Sequence, residues 1–296
     1  MEQVSIFGLR GSGKSCYLYA MAEVMNSGVE ISPNEKLTIT TPVLKQRIML
    51  DKGFEMLAEG HWPQGSSETL VYDFDVKMNE NGRFQSVMSF KMQDYRGGAL
   101  NGATEDDEEV REGLLKAFKD STAIIFMVDG QSLSDVLPGS GANLSSIIKA
   151  RHNISFIQDL FRLYVQRAGI ENVVPILLAI TKSDLLDDEM LLRAKEYLKD
   201  NLPEIFNNGS GVFVAITSVS IGENLRNDNG ILQGRLVLNQ RRNIHIPMLF
   251  PVYCFWSKQV DSGVSDDNME RRMNILRRLF EYKIEFYFNG EPVIGM

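Results

Sequence analysis

Residues 8–15 read GLRGSGKS, and this stretch decides the fold. It fits the pattern G-x-x-x-x-G-K-[ST] and lies between a strand-like segment, residues 2–7, and a helical one, residues 14–25. In that setting the glycines let backbone N–H groups close around phosphate oxygens, and the helix N-terminus adds a partial positive charge. The residues expected to hold phosphate are Gly8, Arg10, Gly11, Ser12, Gly13, Lys14, Ser15 and Cys16.

Strand and helix patterns alternate along the rest of the chain. Continuous apolar runs, which indicate parallel strands covered on both faces, lie at residues 122–128, 173–180 and 212–216. Alternating runs flank a favourable hairpin turn, Asn81-Gly82, and lie at 70–78 and 88–92. Helical patterns lie at 108–119, 145–167 and 188–198. The sequence predicts a three-layer α/β fold of the P-loop nucleotide-binding type, with a mainly parallel sheet and one antiparallel hairpin.

We interpret residues 1–296 as one domain with a core at about 1–220. Three stretches look inserted: 27–65, 131–144 and 221–243. The last two are rich in Gly, Ser, Asn and Asp, so they are predicted to be surface loops. A C-terminal extension, about 244–296, is predicted to be helical from the spacing of its apolar residues. Its last helix is interpreted as docked on the core, with a partner-binding helix as the alternative.

Composition excludes several classes of function. The net charge of −8 argues against a general affinity for nucleic acid or for an anionic membrane. No apolar run has the length of a membrane span, and the chain start lacks the features of a signal peptide. Only Cys16 and Cys254 are available for disulfides, which favours a reducing compartment. We therefore expect a cytoplasmic protein without direct nucleic-acid contacts.

A second motif follows the hairpin. Residues 94–97 read DYRG, of the form D-x-x-G, at the end of the second hairpin strand. Asp94 is positioned to hold a metal ion through water, and Gly97 can offer its backbone N–H to a γ-phosphate. The metal ligands expected from the sequence are Ser15, Asp94 and, just before the hairpin, Ser66. Other hydroxyls that qualify for that last place are Ser67, Thr69, Thr38, Thr40 and Thr41.

Two further motifs point to the base of the nucleotide. Thr181-Lys182-Ser183-Asp184 follows an apolar strand, and the Asp184 carboxylate can accept the two donors at guanine N1 and N2, which adenine lacks. The Lys182 stem can lie over the base. Residues 217–220 read TSVS after the next strand, so Ser218 and Val219 can bring a backbone N–H to guanine O6. All of these motifs lie at carboxyl ends of strands, where α/β sheets bind ligands.

This ordered motif set resembles the translation-factor-related class of P-loop GTPases, which includes Ras-like and dynamin-like proteins. Residues 60–66, GHWPQGS, also resemble a feature of bacterial operon-associated, double-GTPase-like proteins. The resemblance implies a GTP/GDP site with Mg²⁺. It also implies a protein effector, or a partner GTPase or regulator.

The chain departs from that class in two places. Gly98 stands where Ras-like proteins keep a water-orienting glutamine, and Arg10 stands where they keep a glycine. Catalysis by this site would rest on Lys14, Asp94 and Gly97. Arg10 is a further catalytic candidate, because it could serve as an arginine finger, and Arg96 is the other candidate for that role. The alternative interpretation of both arginines is that they are solvated surface residues. Two functions remain open: a switch that hydrolyses GTP slowly and a GTP-binding scaffold with little turnover. An ATPase or a nucleotide kinase is a weaker third.

Overall fold

The computed structural model describes residues 2–32, 35–63, 69–80, 82–94, 107–137, 144–168, 174–228, 231–239, 242–263 and 267–293. Its strands are β1 (Glu2–Phe7), β2 (Val29–Ser32), β3 (Glu35–Thr40), β4 (Leu70–Glu80), β5 (Arg83–Asp94), β6 (Ala123–Asp129), β7 (Ile176–Thr181), β8 (Phe213–Ser218), β9 (Gly222–Asp228), β10 (Ile231–Leu236), β11 (Ile284–Phe288) and β12 (Glu291–Pro292).

The helices in these ranges are α1 (Lys14–Ser27), α2 (Leu44–Ala58), α3 (Asp107–Asp120), α4 (Gly130–Ser134), α5 (Leu144–Ala168), α6 (Asp188–Asn201), α7 (Pro203–Phe206), α8 (Ile246–Asp261) and α9 (Asp267–Phe280). A single 3₁₀ turn, Ser183–Leu185, follows β7. None of the described helices combines the length and the apolar character that a membrane crossing requires.

Ten strands form one mixed sheet in the order β12-β11-β8-β7-β6-β1-β5-β4-β3-β2. The five central strands, from β8 to β5, are parallel to one another. Every residue of β6 and β7 is buried, as their continuous apolar sequences predict. The predicted hairpin is present as the antiparallel pair β4 and β5. The α/β class and the P-loop type of layout are confirmed.

Alternate residues of the central strands face two separate hydrophobic cores. Ile125 and Met127 of β6 belong to the core under α1, α8 and α9. Ile124 and Phe126 belong to the opposite core, under α3, α5 and α6. This alternation is the three-layer arrangement expected for a sheet that is covered on both faces.

The sheet has more antiparallel strands than the sequence predicts. The stretch 27–65, interpreted as an insertion, adds β2 and β3 to one edge of the sheet and then forms α2. On the other edge β11 and β12 pair antiparallel beyond β8, so the C-terminal extension is not only helical. These strands were missed because they are short and lack a long apolar run.

The two predicted loops also differ from the structure. Residues 221–243, expected to be a surface loop, contain the antiparallel strands β9 and β10, which form a small second sheet. Asn224 in β9 has a positive φ of 52°, and the register shifts across from it, between Gln233 and Arg235. This irregularity hides the alternation by which a strand is recognised. The stretch 131–144 overlaps the short helix α4, and its residues 138–143 lie outside the described residues.

The predicted terminal helix is confirmed as α9. Its apolar residues Met273, Leu276 and Phe280 are buried in the core shared with α1 and α8. Helix α8 coincides with the apolar stretch noted in the sequence and is almost wholly buried despite Pro251 in its interior. Within the described residues, the apolar face of α9 is therefore packed on the domain, as the docked interpretation predicts.

Candidate functional site

The phosphate loop, residues 8–13, joins β1 to α1 as the motif predicts. Gly13 caps α1 with a left-handed backbone, φ 84°, which only glycine adopts without strain. A side chain at Gly8 would place its Cβ 2.7 Å from the Met127 carbonyl oxygen, so the loop lies directly against β6. Arg10 is exposed. Because the first N–H groups of a helix have no intrahelical partner, those of α1 are available next to the phosphate loop.

Lys14 and Asp94 meet in the interior beneath this loop. Asp94 ends β5 and is the register partner of Ile6 in β1, which brings it to the phosphate loop. Both side chains are buried, with 8% of Lys14 and 3% of Asp94 exposed. The Lys14 Nζ donates a hydrogen bond of 2.6 Å to the Gly8 carbonyl oxygen. The predicted pair therefore comes together at the carboxyl ends of two parallel strands.

Burial shifts the pKa values of this pair in opposite directions. It lowers the pKa of Lys14, and the negative charge of Asp94 partly restores it. It raises the pKa of Asp94 from 3.8 to about 6, and the positive charge of Lys14 limits that rise. Burial therefore makes it costly to keep Lys14 and Asp94 charged. A bound anion beside Lys14 and a bound cation beside Asp94 would lower that cost.

Two buried oxygens near the loop have no hydrogen-bond partner among the described residues. They are the Ser12 Oγ and the Asp94 Oδ1. Ser15, which is close to Ser12 in sequence, lies in the first turn of α1 and is half-buried. A carboxylate and a hydroxyl oxygen are suitable Mg²⁺ ligands, and Mg²⁺ usually takes one or two carboxylates, with phosphate and water supplying the rest. The oxygen atoms of Asp94, Ser12 and Ser15 therefore fit a magnesium ion that is bound to a nucleotide.

No cluster of three or more His, Cys, Asp or Glu suited to a metal occurs among the described residues. The remaining predicted ligand, Ser66, lies outside the described residues, as do Arg96, Gly97 and Gly98. Thr69, one of the alternatives to Ser66, is exposed just before β4.

The base motifs converge on the neighbouring strand ends. Gly13, Cys16, Thr181, Lys182, Asp184 and Val219, all predicted from the sequence, line one pocket. Burial raises the pKa of the Cys16 thiol to about 12, so it is a packing residue and not a nucleophile. The carboxyl ends of β7 and β8 thus meet the start of α1.

Thr181 and Lys182 are held by specific bonds. The Thr181 Oγ1 lies 2.7 Å from the Ser12 carbonyl oxygen and 3.1 Å from that of Val128, so it links the phosphate loop to the sheet. The Lys182 Nζ forms a 3.0 Å ion pair with the Oδ1 of Asp129, a buried residue at the end of β6. Sequence reasoning missed Asp129. Its position directly after an apolar strand run was the available signal.

Asp184 lies in the 3₁₀ turn, and one of its oxygens is already engaged. The Leu225 backbone N–H, in β9, donates a 2.9 Å hydrogen bond to the Asp184 Oδ2. The Val219 backbone N–H, which the sequence assigned to guanine O6, donates a 2.8 Å bond to the Ile180 carbonyl oxygen. Ser218 accepts at its carbonyl oxygen from the Asn243 side chain. The groups predicted to read the base are thus engaged in hydrogen bonds within the protein.

Five further residues line the same pocket and were not predicted as site residues: Tyr17, Trp62, Ser220, Ile221 and Leu225. Trp62 belongs to the stretch 60–66 that carries the narrower resemblance, which was a usable signal. Ile221 and Leu225 come from the stretch interpreted as a surface loop. The pocket is small, about 30 Å³, and partly open to solvent.

Comparison with known proteins gives distant structural similarities only. No protein-family model matches the chain, and no curated protein is similar to it in sequence. The signal recognition particle receptor SRb-GTP/SRX complex from Chaetomium thermophilum is 14% identical, with a TM-score of 0.41, over 78% of this chain and 94% of that one.

Two elongation factors are similar over a smaller share of their own length. The bacterial selenocysteine-specific factor EF-Sec is 14% identical, with a TM-score of 0.33, over 74% of this chain and 26% of that one. SelB from Methanococcus maripaludis, in complex with the GTP analogue GPPNHP, is 14% identical, with a TM-score of 0.32, over 74% of this chain and 30% of that one. This chain therefore spans less than a third of each factor. Such distant similarities carry no argument about function, which rests on the geometry of the site.

Proposed function

We propose that this protein binds GTP and GDP with Mg²⁺, hydrolyses GTP slowly and acts as a nucleotide-dependent switch. The observation that carries the proposal is the convergence of two sites at one edge of the sheet. The buried Lys14–Asp94 pair lies under the phosphate loop, and the Asp184 turn follows the neighbouring strand β7. This edge is where parallel α/β sheets bind nucleotides.

The phosphates would be held by the loop and by Lys14. The first N–H groups of a helix have no intrahelical partner, so those of α1 can donate to phosphate oxygens. The Lys14 Nζ would exchange its bond to Gly8 for contacts to the β- and γ-phosphates. These contacts would favour binding strongly, because burial lowers the pKa of the Lys14 ammonium and the phosphates would give it negatively charged partners.

Ser15 and Asp94 would hold the magnesium ion, which supplies charge neutralisation on the β- and γ-phosphates. Asp94 must lose its proton to do so, and the raised pKa places that ionisation near pH 6. The free Asp94 Oδ1 gives this carboxylate a vacant acceptor for a metal-bound water. Gly97 would add a backbone N–H to the γ-phosphate.

Guanine would be selected by Asp184. Its two oxygens match the donors at N1 and N2, while the Lys182 stem, held by Asp129, lies along the pocket. Adenine would leave the half-buried carboxylate without these partners, and an acceptor that loses its partners on binding costs about 1–3 kcal/mol. We therefore favour GTP over ATP as the ligand.

Gly98 supports the proposal that hydrolysis is slow, since glycine has no side chain with which to orient a water molecule. The same residue supports a second candidate function, a GTP-binding scaffold with little turnover. In either case we propose that the readout is a protein effector, or a partner GTPase or regulator. The arginines at 10 and 96 are the candidates for supplying the missing charge in catalysis.

A single-turnover phosphate-release assay with GTP and ATP, with and without Mg²⁺, tests this proposal. We expect Mg²⁺-dependent release from GTP, little from ATP, and none in Lys14→Ala. Lys258→Ala, which removes an exposed lysine at the end of α8, is the matched control and should behave as wild type. GTP binding without release would favour the scaffold, and equal release from ATP would contradict guanine selection.

A further inference from the structure

Asp129 lies at the carboxyl end of β6, next to the end of β7. In the parallel pair of these strands its register partner is Thr181, which directly precedes Lys182. The strand ends are also close together here: a side chain at Gly130 would place its Cβ 2.3 Å from the Thr181 carbonyl oxygen. Glycine at position 130 therefore lets α4 begin against the end of β7, which brings Asp129 beside Lys182.

The Asp129 carboxylate binds both α4 and Lys182. Its Oδ1 accepts a 3.2 Å hydrogen bond from the Gln131 N–H, and its Oδ2 accepts a 3.1 Å bond from the Ser132 hydroxyl. The same Oδ1 lies 3.0 Å from the Lys182 Nζ. The Asp129 side chain is 1% exposed and that of Lys182 is 17% exposed, so water hardly reaches this ion pair. Removing one partner of such a pair leaves the other charge uncompensated, so the Lys182 ammonium is held firmly.

Lys182 is also fixed at its backbone. It has a left-handed conformation, φ 53°, which is uncommon for a residue other than glycine. Its neighbours keep it there, since the Thr181 hydroxyl bonds two carbonyl oxygens and the Ser183 N–H donates a 3.3 Å bond to the Val219 carbonyl oxygen. Between the backbone and the ammonium runs an apolar four-carbon stem, and Lys182 lines the pocket that contains Asp184. The stem is thus fixed at both ends beside this pocket.

A fixed stem favours the binding of a purine. A lysine side chain that is free in solution loses much rotamer entropy when a ligand packs against it. Lys182 has already lost this freedom in the nucleotide-free protein, because Asp129 holds its ammonium. Groups that are ordered before binding weaken the affinity less than groups that become ordered on binding. Since the stem would contact the purine ring and not the donors at N1 and N2, it favours any purine and leaves the selection of guanine to Asp184.

We propose that Asp129 is a positioning residue of the base pocket: through its ion pair it fixes the Lys182 stem as a preformed wall for the purine ring. This inference rests on the proposed nucleotide function and adds to it a residue from outside the sequence motifs. The Lys182 ammonium is then a tether to Asp129 and not a phosphate ligand, a role that stays with Lys14. The wall on the β7 side of the pocket is fixed, whichever way the residues from the other segments adjust.

Asp129→Asn removes the negative charge but keeps a residue that can cap α4. We expect the affinity for GDP to fall about tenfold, or about 1.4 kcal/mol, and the affinity for ADP to fall by the same factor. The affinity for pyrophosphate with Mg²⁺, which has no base, should be unchanged. Calorimetric or competition titration measures all three. Ser132→Ala is the matched control: it removes one hydrogen bond to the Asp129 carboxylate but leaves the ion pair, so it should bind GDP as wild type does.

A double variant tests whether Asp129 acts through Lys182. Lys182→Ala removes the stem and should itself weaken GDP binding about tenfold. In that background Asp129→Asn should cause no further loss, because the side chain that Asp129 fixes is gone. An equal loss in both backgrounds would overturn the proposal, since it would show that Asp129 affects GDP binding independently of Lys182.

A measurement on the wild-type protein without nucleotide needs no variant. NMR relaxation of the lysine ammonium groups reports their motion on the picosecond to nanosecond timescale. We expect a restricted ammonium at Lys182 and a mobile one at Lys258, which is exposed at the end of α8. Equal mobility of the two groups would overturn the proposal, even if Asp129→Asn failed to fold.

The outcomes separate the positioning role from the function on which it rests. A wild type that binds neither GDP nor pyrophosphate with Mg²⁺ contradicts the proposed function and this inference together. Tight GDP binding that a folded Asp129→Asn protein leaves unchanged contradicts the positioning role alone. Equal losses of GDP and pyrophosphate in that variant do the same, because they would place its effect outside the base pocket. A loss confined to purine nucleotides, and absent in the Lys182→Ala background, supports both.

Discussion

The two ends of the site are built in different ways. At the phosphate end the loop, Lys14 and Asp94 belong to β1, α1 and β5, which are central and buried. At the base end Asp184 lies in a short turn, and Trp62 and Leu225 reach it from segments outside the central sheet. The first is preformed and holds orphaned acceptors ready for a ligand. The second lines a pocket that is partly open to solvent, and its carboxylate accepts one hydrogen bond from the Leu225 N–H.

This difference separates affinity from selectivity. A preformed phosphate cradle loses little conformational entropy on binding, so most of the binding free energy should come from that end. The base pocket is small and lined by side chains from several segments, so its groups have more to rearrange when a base binds. Changes at the phosphate end should therefore affect all nucleotides alike, and changes at the base end should affect selectivity and rates.

The largest effect is expected at Lys14. Lys14→Ala removes two charge-assisted contacts, to the β- and γ-phosphates, each worth about 1.5–3 kcal/mol. We expect affinity for GTP, GDP and ATP to fall by about a thousandfold, or about 4 kcal/mol, with the preference among them unchanged. Isothermal titration of each nucleotide measures this. A folded Lys14→Ala protein with unchanged GTP affinity would mean that the loop does not hold phosphate.

The next effect is a pH dependence of stability from Asp94. Its pKa is 3.8 in an ordinary carboxyl and about 6 in the fold, so the folded protein binds this proton more tightly. The resulting stabilisation is present below about pH 4 and is lost as the pH rises through about 6. Asp94→Asn cannot titrate. Between pH 4 and pH 7 the nucleotide-free wild type should therefore lose about 2–3 kcal/mol of unfolding free energy relative to Asp94→Asn.

Urea unfolding of both proteins at the two pH values measures that difference. Parallel pH profiles would show that Asp94 is not strained by burial and that the phosphate end is less preformed than we argue. The same variant should lose Mg²⁺-dependent nucleotide binding, while metal-free GDP binding changes less. Equal losses with and without Mg²⁺ would remove Asp94 from the metal site.

The smallest effect is expected at Thr181, which joins the two ends. Thr181→Val keeps the shape but removes the hydroxyl that bonds the Ser12 and Val128 carbonyl oxygens. Its loss should lower the unfolding free energy by about 1 kcal/mol and weaken all nucleotides slightly and equally. Chemical denaturation and GDP titration measure both effects. A change in the preference for GTP over ATP would show instead that Thr181 belongs functionally to the base end.

The same contrast explains how far the site could be predicted from sequence. The phosphate end is a continuous motif next to strong strand and helix patterns, so its residues and their burial could be anticipated. The contact between Leu225 and Asp184 could not. It depends on a backbone N–H of Leu225, which has no sequence signature, and on a hairpin whose polar residues and register shift look like a loop. Edge strands such as β2 and β12 are too short to show a period.

The central claim is that Lys14 and Asp184 bind the two ends of one guanine nucleotide. A competition titration of wild type and Asp184→Asn with GTP, ATP and XTP tests it most directly. Wild type should prefer GTP over ATP by about tenfold to a hundredfold, from the 1–3 kcal/mol cost of an unpaired carboxylate. Asp184→Asn should lose GTP affinity and gain XTP affinity, because its amide donor suits the added carbonyl of xanthine. A wild type that binds ATP as well as GTP, or an unchanged preference in Asp184→Asn, would contradict the account.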